Sequence, residues 1–121
     1  MIKGIGSDII EIDRVKDACE NERFLTRNFT ACELEMFKTR GNRTETIAAN
    51  FAMKEAVVKA LGTGFRGLNL IDIEVLRDDL GKPIVTLNES IKTVMNKYGI
   101  TAVHVSCSHA KAYAVGYAIA E

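Results

Sequence analysis

"TETIAANFAMKEAVVKALGTG", residues 44–64, is the segment on which the fold turns. It has no proline, and its apolar residues recur around a helix instead of alternating. The spacing predicts a helix from about Thr44 to Leu61, ending at Gly62, a residue free to adopt the left-handed conformation that closes helices. Ile47, Phe51, Val57, Val58 and Leu61 cover one broad arc. Ala48, Ala49, Ala52, Ala56, Ala60 and Met53 fill most of the remainder. A helix apolar nearly all round is buried on most sides, so the other elements should pack about this one.

Four polar residues interrupt it: Asn50, Lys54, Glu55 and Lys59. Glu55 and Lys59 lie four apart and share a face with Ala48 and Ala52, which leave room for something to approach. Two readings are open. One is an ion pair along the helix surface, contributing about 0.3–0.5 kcal/mol. The other is a carboxylate for a hard metal set beside an amine for a phosphate.

A second misplaced charge lies in "GIGSDIIEID", residues 4–13. Alternation across 2–12 predicts a strand, and places Gly4, Gly6, Asp8, Ile10 and Ile12 on one face. A carboxylate in line with isoleucines needs a partner, either a backbone group or solvent at the strand end, or a metal.

Around these two segments the chain punctuates itself. A short helix is predicted over 13–20 with Asp13 as N-cap, and a second over 31–38, where Thr30 and Glu33 form a capping-box pattern. "RGNR", 40–43, is a loop. "LIDIEVL", 70–76, and "IVTL", 84–87, are strands joined through the "DDLGKP" turn as a hairpin. A helix opens at the N-cap Asn88 and closes at Gly99. "AVHVSCS" and "AYAVGYAIA" are strands paired antiparallel through "HAK". The order β-α-α-α-β-β-α-β-β predicts an α+β fold, a mostly antiparallel sheet packed with one long central helix. With one proline and no linker or repeat, residues 1–121 form a single domain.

Lys and Arg number 16 and Asp and Glu 16, so no basic excess points to nucleic acid or an anionic membrane surface. No stretch has the unbroken apolar length of a membrane span, and the N-terminus lacks a secretory pattern. Cys19, Cys32 and Cys107 have no zinc spacing, and an odd count fits a reduced, cytoplasmic protein. "LGTGFRG", 61–67, lacks the Walker pattern and follows a helix, so Gly62 and Gly64 are read as chain reversal. "VHVSCSHAK" holds Ser106, Ser108 and His109 but no nucleophile elbow. These groups suit hydrogen bonding to a ligand better than serine nucleophilic chemistry, and Cys107 reads as core.

"GIGSDIIEIDRV", "NFAMKEAVVKALGTG", "GKP" and "VSCSHAKAYAVGYA", in that order and spacing, resemble the holo-[acyl-carrier-protein] synthase family over essentially the whole chain. These are the small bacterial 4′-phosphopantetheinyl transferases of fatty-acid synthesis. The resemblance implies transfer of 4′-phosphopantetheine from coenzyme A to a serine of apo acyl carrier protein, with magnesium as the metal and adenosine 3′,5′-bisphosphate released. It also implies a homotrimer with active sites in the clefts between protomers. By the same resemblance Asp8 and Glu55 match the metal carboxylates, and Lys59 the lysine on the coenzyme A phosphates. Ser106, Ser108 and His109 match a segment lining the coenzyme A site. Arg14, Arg23 and Phe24 match the edge that meets the carrier protein. Arg14, Lys16, Arg23 and Arg27 could steer an acidic carrier, although Asp13, Asp17, Glu20 and Glu22 are interleaved.

One position departs. The family commonly has an arginine directly before "FAxKEA", in reach of the coenzyme A 3′-phosphate, and here that position is Asn50. Arg43, Lys54 or Arg66 would have to substitute, or the contact is weaker. Asn50 thus leaves open a non-catalytic trimeric module that binds coenzyme A or carrier protein, and a different metal-dependent nucleotide enzyme on the same fold is a third class.

Overall fold

A computed structural model describes residues 1–62 and 67–121. Among them, strand β1 (Gly4–Glu11) leads into four helices: α1 (Ile12–Ala18), α2 (Glu22–Asn28), α3 (Ala31–Thr39) and α4 (Thr44–Leu61). A 3-10 turn (Leu70–Asp72) precedes the hairpin β2 (Val75–Arg77) and β3 (Pro83–Val85), then α5 (Glu89–Lys97), β4 (Val103–His109) and β5 (Tyr113–Ala120). Strands β1, β5 and β4 form one antiparallel sheet in that order, and β2–β3 a second. The architecture is the α+β fold expected, with α4 as its centre.

The alanines of α4 meet the glycines of the sheet. A methyl group on Gly6 would lie 2.8 Å from Ala60 N and 2.9 Å from Ala56 C. One on Gly116, the β5 partner of Asp8, would lie 2.6 Å from Ala52 O. Backbone therefore packs on backbone along β1 and β5, and the room beside the alanines is filled by the sheet. The helix ends as its sequence predicts, at Gly62 with φ +75°.

Four local expectations change. Helix α2 was read as connection, because it is only two turns long and has no fully buried residue. Asn21 caps it, accepting from Arg23 N at 3.0 Å, and Phe24 stacks on Phe51 with centroids 5.8 Å apart. Helix α1 starts at Ile12, so Asp13 lies in its first turn and is not the cap. The 70–76 strand is a 3-10 turn followed by a short strand, since the Asp72 carboxylate folds back to accept from Asn69 N at 2.8 Å. The reading of Gly64 as chain reversal, and Arg66, lie outside the described residues. The capping box of α3 and the Asn88 cap of α5 form as predicted.

Candidate active site

Strand β1 and helix α4 bring three separated charges together. Lys59 Nζ donates to the Ser7 carbonyl at 2.9 Å and meets Asp8 Oδ1 at 3.3 Å. The ion pair Lys59 makes is therefore across to the strand, and among the described residues none joins it to Glu55. The backbone carbonyl sharing this ammonium explains the preference, since β1 presents two acceptors at one spot. Lys59 keeps about half of its side chain in solvent, 54%, and is free to reach a ligand.

Glu55 stands one turn back on the same face of α4. Burial pushes its carboxyl pKa up, the Asp8 charge pushes it further, and Lys59 opposes both. Two carboxylates that repel one another across a shared cavity are a place where a dication would be welcome. Their hard oxygens suit magnesium, which binds one or two carboxylates and keeps several waters. Among the described residues, no group of three or more His, Cys, Asp and Glu side chains is placed to hold a metal ion, so a two-carboxylate set is what the fold offers.

Asp8 and Glu55 line a cavity of about 510 Å³ together with Arg14, Phe24, Phe51 and Tyr113. Two of the residues matched to carrier binding, Arg14 and Phe24, thus share the wall of the carboxylate site. Arg23 lines an adjoining hollow with Phe24 and Arg27.

The "SCSH" residues do not converge on this site within one chain. Ser106 pairs with Tyr117 and Ser108 with Val115, on the sheet face turned away from α4, whereas Cys107 and His109 point to the helix side. Strand β4 is also two strands from β1, about 10 Å. The outward face around Ser106 exposes Ile5, Ile9, Tyr113, Tyr117 and Ile119.

Lys54 and Asn50, the other charged and polar interruptions of α4, are fully buried and do not face the cavity. Lys54 Nζ donates to Glu33 Oε1 at 2.6 Å and to the Asn28 carbonyl, and lies 4.7 Å from the centre of the Phe29 ring. Burial pushes its ammonium pKa down and Glu33 opposes the shift. Lys54 is therefore committed to the core and cannot substitute for an arginine on a ligand phosphate. Arg43, paired with Glu45 at 3.2 Å, lies twelve residues before Glu55, about 18 Å along the helix axis. Asn50 donates to Glu33 Oε2 and to the Val75 carbonyl, both at 2.9 Å, and accepts from Arg77 at 2.9 Å. The buried Glu33 that organises this network was legible from sequence only as a capping residue.

A conserved-domain model described as the 4′-phosphopantetheinyl transferase superfamily matches residues 4–118. The chain is 53% identical over 122 residues to the holo-[acyl-carrier-protein] synthase of Clostridium botulinum (strain Alaska E43 / Type E3), covering all of this chain and 98% of that one. In structure it is similar to the Neisseria meningitidis holo-[acyl-carrier-protein] synthase, with TM-score 0.92, 33% identity, and 100% and 99% of the two chains covered. It is also similar to the Helicobacter pylori synthase solved in complex with coenzyme A, with TM-score 0.84, 29% identity, and 97% and 99% covered. The fold and the site thus define a phosphopantetheinyl transferase. The chain belongs, within that superfamily, to the holo-[acyl-carrier-protein] synthase family, and is an enzyme of that class.

Proposed function

We propose that this chain moves 4′-phosphopantetheine from coenzyme A to a serine of apo acyl carrier protein, magnesium-dependently, releasing adenosine 3′,5′-bisphosphate. The observation that carries the reading is the convergence of Asp8, Glu55 and Lys59 on one cavity edge, with Arg14 and Phe24 on its wall. Asp8 and Glu55 would hold the metal, which when bound polarises the phosphoryl group and neutralises charge on the leaving bisphosphate. Lys59 turns its half-exposed ammonium onto the pyrophosphate and adds a second positive charge there. The serine oxygen bonds to the phosphorus bearing pantetheine, and the bond to the adenosine-side phosphate breaks. Glu55, directly or through one water, accepts the serine proton. The nucleophile belongs to the partner, so this chain needs none. Arg14, Arg23 and Phe24 receive the acidic carrier.

The apolar outer face of the sheet supports a homotrimer, because Ile5, Ile9 and Tyr117 are otherwise left in water. Neighbouring copies would bring Ser106, Ser108 and His109 of one protomer to the carboxylate site of the next. We place the enzyme in the cytoplasm, supplying carrier protein for fatty-acid synthesis. Among the described residues no helix is long and apolar enough to cross a membrane.

The test is to incubate the protein with magnesium, coenzyme A and apo acyl carrier protein and to weigh the carrier by mass spectrometry. The expected result is a gain of one phosphopantetheine, lost with Glu55→Gln. An unchanged carrier at high enzyme concentration refutes the reading. Light scattering should give three times the chain mass, and a fully active monomer would refute sites shared between protomers.

A further inference from the structure

Arg77, at the end of β2, has no role in the reaction described so far. Its surroundings are nevertheless built around it. Asn50 is fully buried, and both hydrogens of its amide are used by acceptors that cannot donate, the Glu33 carboxylate and the Val75 carbonyl. The amide oxygen is left with one orientation, and Arg77 NH1 donates to it at 2.9 Å. Arg77 NH2 lies 4.0 Å from Cys107 Sγ, a weak acceptor. The guanidinium is half-buried, held at one corner, and retains unused donors.

Its charge is also left over. Among the described residues no carboxylate lies within 4 Å of Arg77. Glu33, the acid of the network, has Oε1 bonded to Lys54 and Thr30 N, and Oε2 to Asn50 and Val75 N. Arg40, at the end of α3, stands close enough to repel the Arg77 charge. Two guanidiniums, one of them fixed by a buried amide, form a receptor for a phosphate dianion that matches the arginine fork.

We propose that Arg77 is a specificity-determining residue that takes the 3′-phosphomonoester of coenzyme A. The inference rests on the transferase reading for the identity of the ligand. Coenzyme A carries a pyrophosphate and one separate phosphate on its ribose. The pyrophosphate is met by Lys59 and the two carboxylates. Arg77 lies elsewhere, against Cys107 of β4, two strands from Asp8. His109, matched to the coenzyme A site, lies two residues along β4 from Cys107 and on the same face.

The experiment compares coenzyme A with 3′-dephospho-coenzyme A as donors for wild type, Arg77→Gln and Arg77→Lys. Wild type should prefer coenzyme A in kcat/KM by about tenfold or more, the scale of a charge-assisted contact. The preference should fall to within about twofold in Arg77→Gln and be partly restored in Arg77→Lys. Taking the ratio within one preparation cancels any loss of folded protein. An undiminished preference in Arg77→Gln, or none in wild type, overturns the proposal. Should wild type transfer from neither donor, the transferase reading fails by itself. Calorimetry of adenosine 3′,5′-bisphosphate against adenosine 5′-monophosphate then decides Arg77. A wild-type preference for the bisphosphate that disappears in Arg77→Gln supports the assignment, and one that persists, or is absent from wild type, refutes it.

Discussion

Gly6→Ala should damage this protein more than any single methyl group on a surface strand has a right to. The added carbon would meet Ala60 N at 2.8 Å and Ala56 C at 2.9 Å, with the Ala56 carbonyl oxygen closer still. Ordinary contact begins near 3.4 Å, so α4 must withdraw by at least 0.6 Å at Ala60 N. The obstacle is helix backbone, which cannot rotate aside. A gap of about 0.5–1 Å forfeits a quarter to a half of the dispersion energy of the atoms it separates. Here those atoms include fully buried Ala52 and Ala56 against Gly116 and Ala118. The cost should reach the upper end of overpacking, about 3 kcal/mol or more. For a chain of this length that lowers the melting temperature by roughly 10 °C. The chemistry should suffer as well. Asp8 is two residues along the same strand, and its 3.3 Å pairing with Lys59 spans the gap that opens. Thermal and urea unfolding by circular dichroism, with transferase turnover per folded molecule, measure both effects. Gly41→Ala is the control: it has φ +78° and nothing within 4 Å, so only the left-handed backbone penalty of about 1–2 kcal/mol applies and turnover should hold. A Gly6→Ala protein melting within 2 °C (roughly 0.5 kcal/mol) of wild type and turning over normally would refute the close packing of β1 on α4.

Lys54→Met should cost about 3–5 kcal/mol, because it strands the buried Glu33 carboxylate without its cation. A melting temperature close to wild type would show that Lys54 does not hold the core. Lys59→Ala should do the reverse. Its half-exposed pair with Asp8 contributes at most about 1 kcal/mol, while turnover should fall about 100-fold. A large loss of stability with near-normal turnover would make Lys59 a structural ion pair. Glu55→Gln should abolish turnover yet raise the melting temperature at neutral pH, since burial and Asp8 both disfavour the Glu55 carboxylate in the fold. The sign follows from linkage. Below the ordinary value of 4.5 the carboxyl is protonated folded or unfolded and the variant gains nothing. As pH rises through the raised folded value the wild type acquires the penalty, so the difference opens and then stays constant. A melting-temperature difference that is the same at pH 3 and pH 8 would refute the account.

The sequence by itself determined the elements whose signals are local. The 44–61 helix and its glycine stop, the Thr30–Glu33 capping box, the Asn88 cap and the alternation of β1 each depend on residues within a few positions of one another. Helix α2 and the shortened 70–76 strand escaped because their decisive partners are distant or unpatterned. Phe24 finds Phe51 across the fold, and the Asp72 side chain competes with the ladder for backbone donors. The site divides in the same way. Asp8, Glu55 and Lys59 stood out as charges in apolar patterns, but only packing decided that Lys59 pairs with Asp8 across 51 residues instead of with Glu55 one turn away. Lys54 carries the same interruption of the same helix and looked equally available. A quarter-turn of rotation places it over Phe29 and against Glu33, out of reach of any ligand. Periodicity can say that a charge breaks a pattern. Whether that charge becomes a buried strut or a working group depends on which distant backbone and side chains surround it, and only the tertiary structure decides that.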